Sequence, residues 1–268
     1  MDNSIFPSAF PASWASEWGQ DRFGLYMDLN CQGVCQRFRW ILPGTFLMGS
    51  PEYEAEREPW GGDETQHRVT FPHGFWLADT ACTQALWQAV MDDNPSHFTD
   101  DPGLPVESVS WLDVQQFIEH LNALFPGLQA RLPSEAQWEY ACRAGTQTPF
   151  SFGGDITPEL VNYDGNYPYA GGSKGLYRQQ TVPVKSLPPN PWGLYEMHGN
   201  VWEWCADWYD DYPKQAVIDP RGPDHGERRV VRGGSWSNDV AGSTRSAARG
   251  KVDPVNRLNF IGFRLAPG

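Results

Sequence analysis

Asn190-Pro191-Trp192-Gly193-Leu194-Tyr195-Glu196-Met197-His198-Gly199-Asn200-Val201-Trp202-Glu203-Trp204 decides how this chain is read. Turn formers crowd its first half, as an ordered loop requires, and Trp202 and Trp204 alternate into the core around Glu203. Upstream, Ser134-Glu135-Ala136-Gln137 is a capping box, in which the Gln137 amide reaches back to the Ser134 backbone. It opens a helix through Trp138, Tyr140, Ala141 and Cys142 to Gly145. A second helix is expected over about Thr83 to Met91, ended by Asn94-Pro95. A third starts at a Ser110 cap with Asp113 in its first turn, carries the stripe Val114, Phe117, Ile118 and Leu121, and stops at Pro126-Gly127. Strands are expected at Phe38 to Leu42, at Thr45 to Ser50 and, after an acidic loop over 52 to 65, at His67 to Phe71 and Phe75 to Ala78. Residues 146 to 200 are punctuated by Pro, Gly and Asn so often that ordered loop is expected there.

Residues 1 to about 38 have no clear period, yet Trp14, Trp18, Phe23, Tyr26 and Met27 supply too much apolar mass for a disordered tail. They read as an N-terminal extension packing on the domain or on a partner, with one domain over 39 to 268. The 27 Gly and 23 Pro set beside 13 Trp indicate turns held together by aromatic clusters. The expected class is α+β, with small antiparallel sheets and few helices. A net charge of −13 without a basic stripe repels phosphate backbones, so no nucleic-acid partner is expected. No stretch reaches eighteen consecutive apolar residues, and the first residues lack a basic start and apolar run. Neither membrane nor export is expected, and the location reads as cytoplasmic. Cys31, Cys35, Cys82, Cys142 and Cys205 are odd in number and scattered, and read as reduced thiols.

Four blocks in order carry a family resemblance: Pro43-Gly44-Thr45-Phe46-Leu47-Met48-Gly49-Ser50, Arg131 through Ala141, Asn190 through Trp204, and a closing frame. The frame is Arg232-Gly233-Gly234-Ser235-Trp236, then Arg245-Ser246-Ala247-Ala248-Arg249, then Gly262-Phe263-Arg264. Over roughly residues 39 to 268 the chain resembles the formylglycine-generating enzyme (sulfatase-modifying factor) family. The resemblance implies that family's fold, an elaborated C-type-lectin-like architecture with extensive ordered loop. It also implies structural calcium, held by the Glu196 and Glu203 side chains with the Gly199 and Val201 carbonyls. Two carboxylates around a Gly-Asn turn are a donor set that a hard cation takes; a Glu203 that merely caps its loop is the alternative. For a second family calcium site, Asn162 and Tyr163 match the first half, but the later aspartate falls near Leu176.

The chain departs from the family where its chemistry resides. The resemblance implies two thiols between the first two anchors of the frame, holding Cu(I). Here that interval is Ser237-Asn238-Asp239-Val240-Ala241-Gly242-Ser243-Thr244, and no sulfur follows Cys205. Hydroxyls and carboxamides do not replace thiolates for soft monovalent copper, so no copper is expected. The six histidines lack the spacing of an iron-binding facial triad, and His198 reads as a structural imidazole.

A fixed frame around altered intervals reads as a non-catalytic binding module. The expected ligand surface is Trp236, Ser237, Asn238, Asp239, Val240, Ala241, Gly242, Ser243, Val255, Leu258, Asn259 and Phe260, with a protein or other macromolecule as ligand. The interval is similar to that of the variable proteins of diversity-generating retroelements. Every residue from Ser237 to Ser243, and Val255, Leu258, Asn259 and Phe260, is reachable by adenine-directed change at AAY codons. The alternative function is an oxidoreductase of the formylglycine-generating type acting on a protein cysteine.

Overall fold

The computed structural model describes residues 5 to 57 and 63 to 268, so the middle of the acidic loop lies outside the described residues. β1 (Glu17–Asp21), β2 (Gly24–Cys31), β3 (Val34–Ile41) and β6 (Phe75–Ala78) form an antiparallel sheet in the order β1-β2-β3-β6. The boundary expected at residue 38 falls inside β3, where Phe38 pairs with Ala78 and is completely buried. Polar residues hid these strands. Arg37 forks onto Asp28 with two bonds of 2.8 Å, and Arg39 forks onto Asp21, which breaks the alternation of apolar and polar positions. The β2–β3 turn, Gln32-Gly33, has two positive φ angles of 52° and 87°, the demand of a two-residue hairpin, without the usual Asn-Gly signal.

A second sheet has the order β10 (Arg249–Val252), β9 (Arg229–Arg232), β7 (Trp202–Trp208), β11 (Ile261–Phe263); a third joins β4 (Gly44–Met48), β5 (His67–Phe71) and β8 (Val217–Ile218). The sheets are small and mainly antiparallel, with one parallel pair at β11–β7 and one at β8–β5. Both parallel strands are short edge pieces delivered from far along the chain.

The three helices form where their caps stand: α1 (Gln84–Met91) behind Thr83, α2 (Trp111–Leu124) behind the Ser110–Asp113 box, α3 (Glu135–Arg143) behind the Ser134–Gln137 box. One apolar cluster lies between the first sheet, α1 and α2, with Trp87 stacked on Phe117 at 5.1 Å. A second gathers Phe71, Phe75, Trp138 and Tyr140, and every residue of α3 is buried. Residues 146 to 200 are ordered loop apart from a short 3-10 turn, Tyr169–Gly171, and bury Phe150, Tyr163 and Tyr169. Among the described residues no helix is long and apolar enough to cross a membrane.

A candidate binding cavity framed by buried arginines

The closing frame is built from four arginines, each buried against a carboxylate. Arg264 forks onto Glu203 at 2.6 and 2.7 Å, and Trp138 donates its indole N–H to the same carboxylate. Arg249 forks onto Glu135 at 2.6 and 2.8 Å. Arg245 forks onto Glu64 at 2.7 and 2.9 Å and reaches Glu54. Arg232 binds Glu139, which also takes Arg143 at 2.8 Å. Arg232, Arg245 and Arg264 expose nothing to solvent and Arg249 only 4%. Planar forks of this kind fix orientation, so the frame holds the interval between Trp236 and Phe260 in one geometry.

His198 is a strut. Its Nδ1 lies 2.7 Å from the Thr244 carbonyl and its Nε2 accepts the Ser151 N–H at 3.1 Å, which fixes a neutral tautomer. Burial drives its pKa down to about 4. It thereby ties the end of the altered interval to the long loop. Cys142 packs against the same ring, and burial pushes its thiol up to about 12.

Held in this frame, the interval divides into two parts. Ala241, Gly242 and Ser243 are buried, contrary to the expected surface: the Gly242 N–H donates to Glu56 at 2.6 Å, and a Cβ there would meet Glu56 side-chain atoms at 2.5 and 2.8 Å. Asn238 is also buried, its carboxamide oxygen accepting the Ser235 N–H as a local turn cap. Asp239 and Val255 are exposed; Trp236, Ser237, Val240, Leu258, Asn259 and Phe260 are half-buried. Trp236 is anchored through its indole N–H to the Asn259 carbonyl and stacks near Tyr177. Ser237, Asn238, Asp239 and Phe260 line one cavity of about 480 Å³ together with Trp202, Tyr209, Arg228 and the whole of β10. The sequence pattern did not reveal Tyr209, Arg228 or Gly250 as part of this wall. Their contribution depends on β10 lying beside β9, a pairing that no local signal announces.

The expected calcium set is used otherwise. Both Glu203 oxygens face Arg264, so a dication placed there would sit beside a buried guanidinium. The Glu196 carboxylate accepts the Lys185 and Leu187 N–H groups at 3.1 and 3.2 Å, and burial raises its pKa to about 7. Among the described residues no group of three or more His, Cys, Asp and Glu could hold a metal ion. Glu196, Gly199, Val201 and Glu203 therefore fit a calcium ion poorly. At the second candidate position, the Asn162 side-chain oxygen is buried without a partner.

Fold and site together define a small α+β domain with a cavity lined by its closing segments, without the thiol pair of a copper oxidase. The chain belongs to the sulfatase-modifying factor enzyme 1-like domain family, whose model matches residues 26–267. It is 33% identical over 250 residues to a formylglycine-generating enzyme of Thermomonospora curvata, covering 86% of this chain and 73% of that one. Against other curated formylglycine-generating enzymes it spans about half of their length. Among solved structures it is similar to Treponema denticola variable protein 1, with a TM-score of 0.73 and 29% identity over 90% of this chain and 98% of that one. It is equally similar to PvdO from Pseudomonas aeruginosa, with a TM-score of 0.73 and 28% identity over 90% and 97%. The fold is thus that of the formylglycine-generating enzymes.

Proposed function

We propose that this chain is a non-catalytic member of the family that binds a protein or peptide ligand through its carboxyl-end cavity. One observation carries the reading: the interval in which the family's thiol pair belongs instead lines a 480 Å³ cavity with a hydroxyl, a carboxamide and a carboxylate from Ser237, Asn238 and Asp239. Cys142 and Cys205 do not replace the pair. Both are completely buried, and burial holds both thiols protonated, whereas copper(I) takes thiolates. The similarity to a variable protein supports recognition at this end of the fold. Diversification, if the gene undergoes it, is confined on this reading to Ser237, Asp239, Val240, Val255, Leu258, Asn259 and Phe260, because Gly242 admits no side chain. A neighbouring reverse transcriptase gene with a near-copy of the 3′ coding bases, differing at adenines, is the observation that tests it. Calcium enters only at Asn162, whose free acceptor suits a hard cation.

The test of binding is selection of a displayed peptide library on the domain, followed by competition with variants. Ser237→Tyr, which fills the cavity, and Phe260→Ala should each weaken the selected ligand at least ~10-fold with the fold intact. Undiminished capture by both variants, or oxygen uptake with a cysteine peptide and added copper, removes the reading.

A further inference from the structure

β10 is an outer strand: Arg249–Val252 pairs with β9 on one side and, among the described residues, with no strand on the other. Successive residues of a strand point to opposite faces. Arg249 and Lys251 lie over the Tyr209 ring at 4.4 and 4.6 Å, while a Cβ on Gly250 would point at Val231 and Trp202. Yet all four residues of β10 line the same cavity. A single cavity reaches both faces of a strand only by running along its open edge. Such an edge presents the N–H and C=O groups of alternate residues to any extended segment laid beside it.

Charge selects among such segments. Although the chain carries a net −13, the exposed Arg228 and Lys251 have no carboxylate partner among the described residues. Both line this cavity and a smaller adjoining one of about 270 Å³. The carboxylates at the same walls are Asp239 and Glu227; Arg249 is already neutralised by Glu135. Trp202, Phe260 and Ile261 supply an apolar floor. Four residues of strand span roughly 14 Å, enough for two side chains to enter the cavity and two to turn away.

We propose that the open edge of β10 takes up an extended acidic peptide segment as an added strand. Apolar side chains rest against Trp202 and Phe260, and a carboxylate meets Arg228 and Lys251. The inference rests on the binding function proposed above and names the ligand's chemistry and its mode of attachment. The probes are a fluorescein-labelled octapeptide of alternating Glu and Val, its Lys–Val counterpart, and two Glu–Val peptides N-methylated at one or the other set of alternate amides. Fluorescence anisotropy should show saturable binding of the Glu–Val peptide. Methylation of one set should weaken binding about tenfold, the effect of losing two backbone hydrogen bonds, and the Lys–Val peptide should be at least as weak. Arg228→Glu with Lys251→Glu, both at exposed positions, should reverse the charge preference. Absence of Glu–Val binding, equal binding of both methylated peptides and the parent, or indifference to the double substitution overturns the proposal. If a library-selected ligand is nevertheless lost in Ser237→Tyr and Phe260→Ala, the cavity still binds and only strand addition falls.

Discussion

Replacing Arg264 by Met tests the frame most severely. The guanidinium is completely buried, forks onto Glu203 and also donates to the carbonyls of Ala78 and Tyr195 at 3.1 and 2.9 Å. Methionine keeps much of the stem volume but leaves Glu203, itself 1% exposed, as an uncompensated carboxylate beside Trp138. Breaking a buried pair from one side costs about 3–5 kcal/mol, which for a domain of this size lowers the melting temperature by roughly 6–20 °C. Urea unfolding followed by tryptophan fluorescence measures it. Adding Glu203→Gln removes the stranded charge while the amide oxygen still accepts the Trp138 N–H. The double variant should therefore be more stable than Arg264→Met alone, with a coupling of at least ~1 kcal/mol. If Arg264→Met costs less than ~1 kcal/mol, or the second change brings no recovery, the frame does not depend on desolvated ion pairs.

The remaining tests address single positions. Gly242→Ala should cost ~1–3 kcal/mol because its methyl group would press on Glu56, whereas Asp239→Ala should stay within about 0.5 kcal/mol in the same denaturation assay. Asp207 is buried, and desolvation followed by the neighbouring Glu135 lifts its pKa from an ordinary 3.8 to about 7. Well below pH 3.8 the group is protonated in both states. As the pH climbs toward 7 the unfolded chain ionises first, so stability falls. Asp207→Asn should therefore raise the urea midpoint at pH 8 and leave it unchanged well below pH 3.8. His198 works from the other side, because its pKa is lowered from 6.5 to about 4. Stability is lost as the pH falls through that window, and His198→Asn should flatten this acid limb. For calcium, elemental analysis of protein purified in the presence of the ion should show retention that drops in Asn162→Ala and is unchanged in Glu196→Gln.

The helices were legible because their signals are local. Ser110 with Asp113 and Ser134 with Gln137 close the same hydrogen bonds in the structure that their spacing implies. The strands before residue 38 were not, since Asp28, Arg37 and Arg39 replace apolar alternation with ion pairs that exist only once three strands lie side by side. At the carboxyl end the frame residues could be read as fixed, but not what fixes them: Glu64, Glu135, Glu139 and Glu203 stand far upstream. Nor could composition tell that Gly242 and Ser243 turn inward while Asp239 turns outward, because small polar residues suit both places.

The arginine forks also set an order of assembly. Arg245 closes onto Glu54 across 191 residues, and Arg264 reaches Ala78 across 186. Contacts of such separation form slowly, since loop closure precedes any reward. During synthesis, the upstream glutamates and the β7 edge stay without these partners until residues 232 to 264 have left the ribosome. Until then the half-made domain presents Glu54, Glu64, Glu135 and Glu203 without their arginines and an open sheet edge to its neighbours. Loss of Ile261 to Arg264 would thus leave the nascent chain in a prolonged, aggregation-exposed state rather than a slightly altered native one.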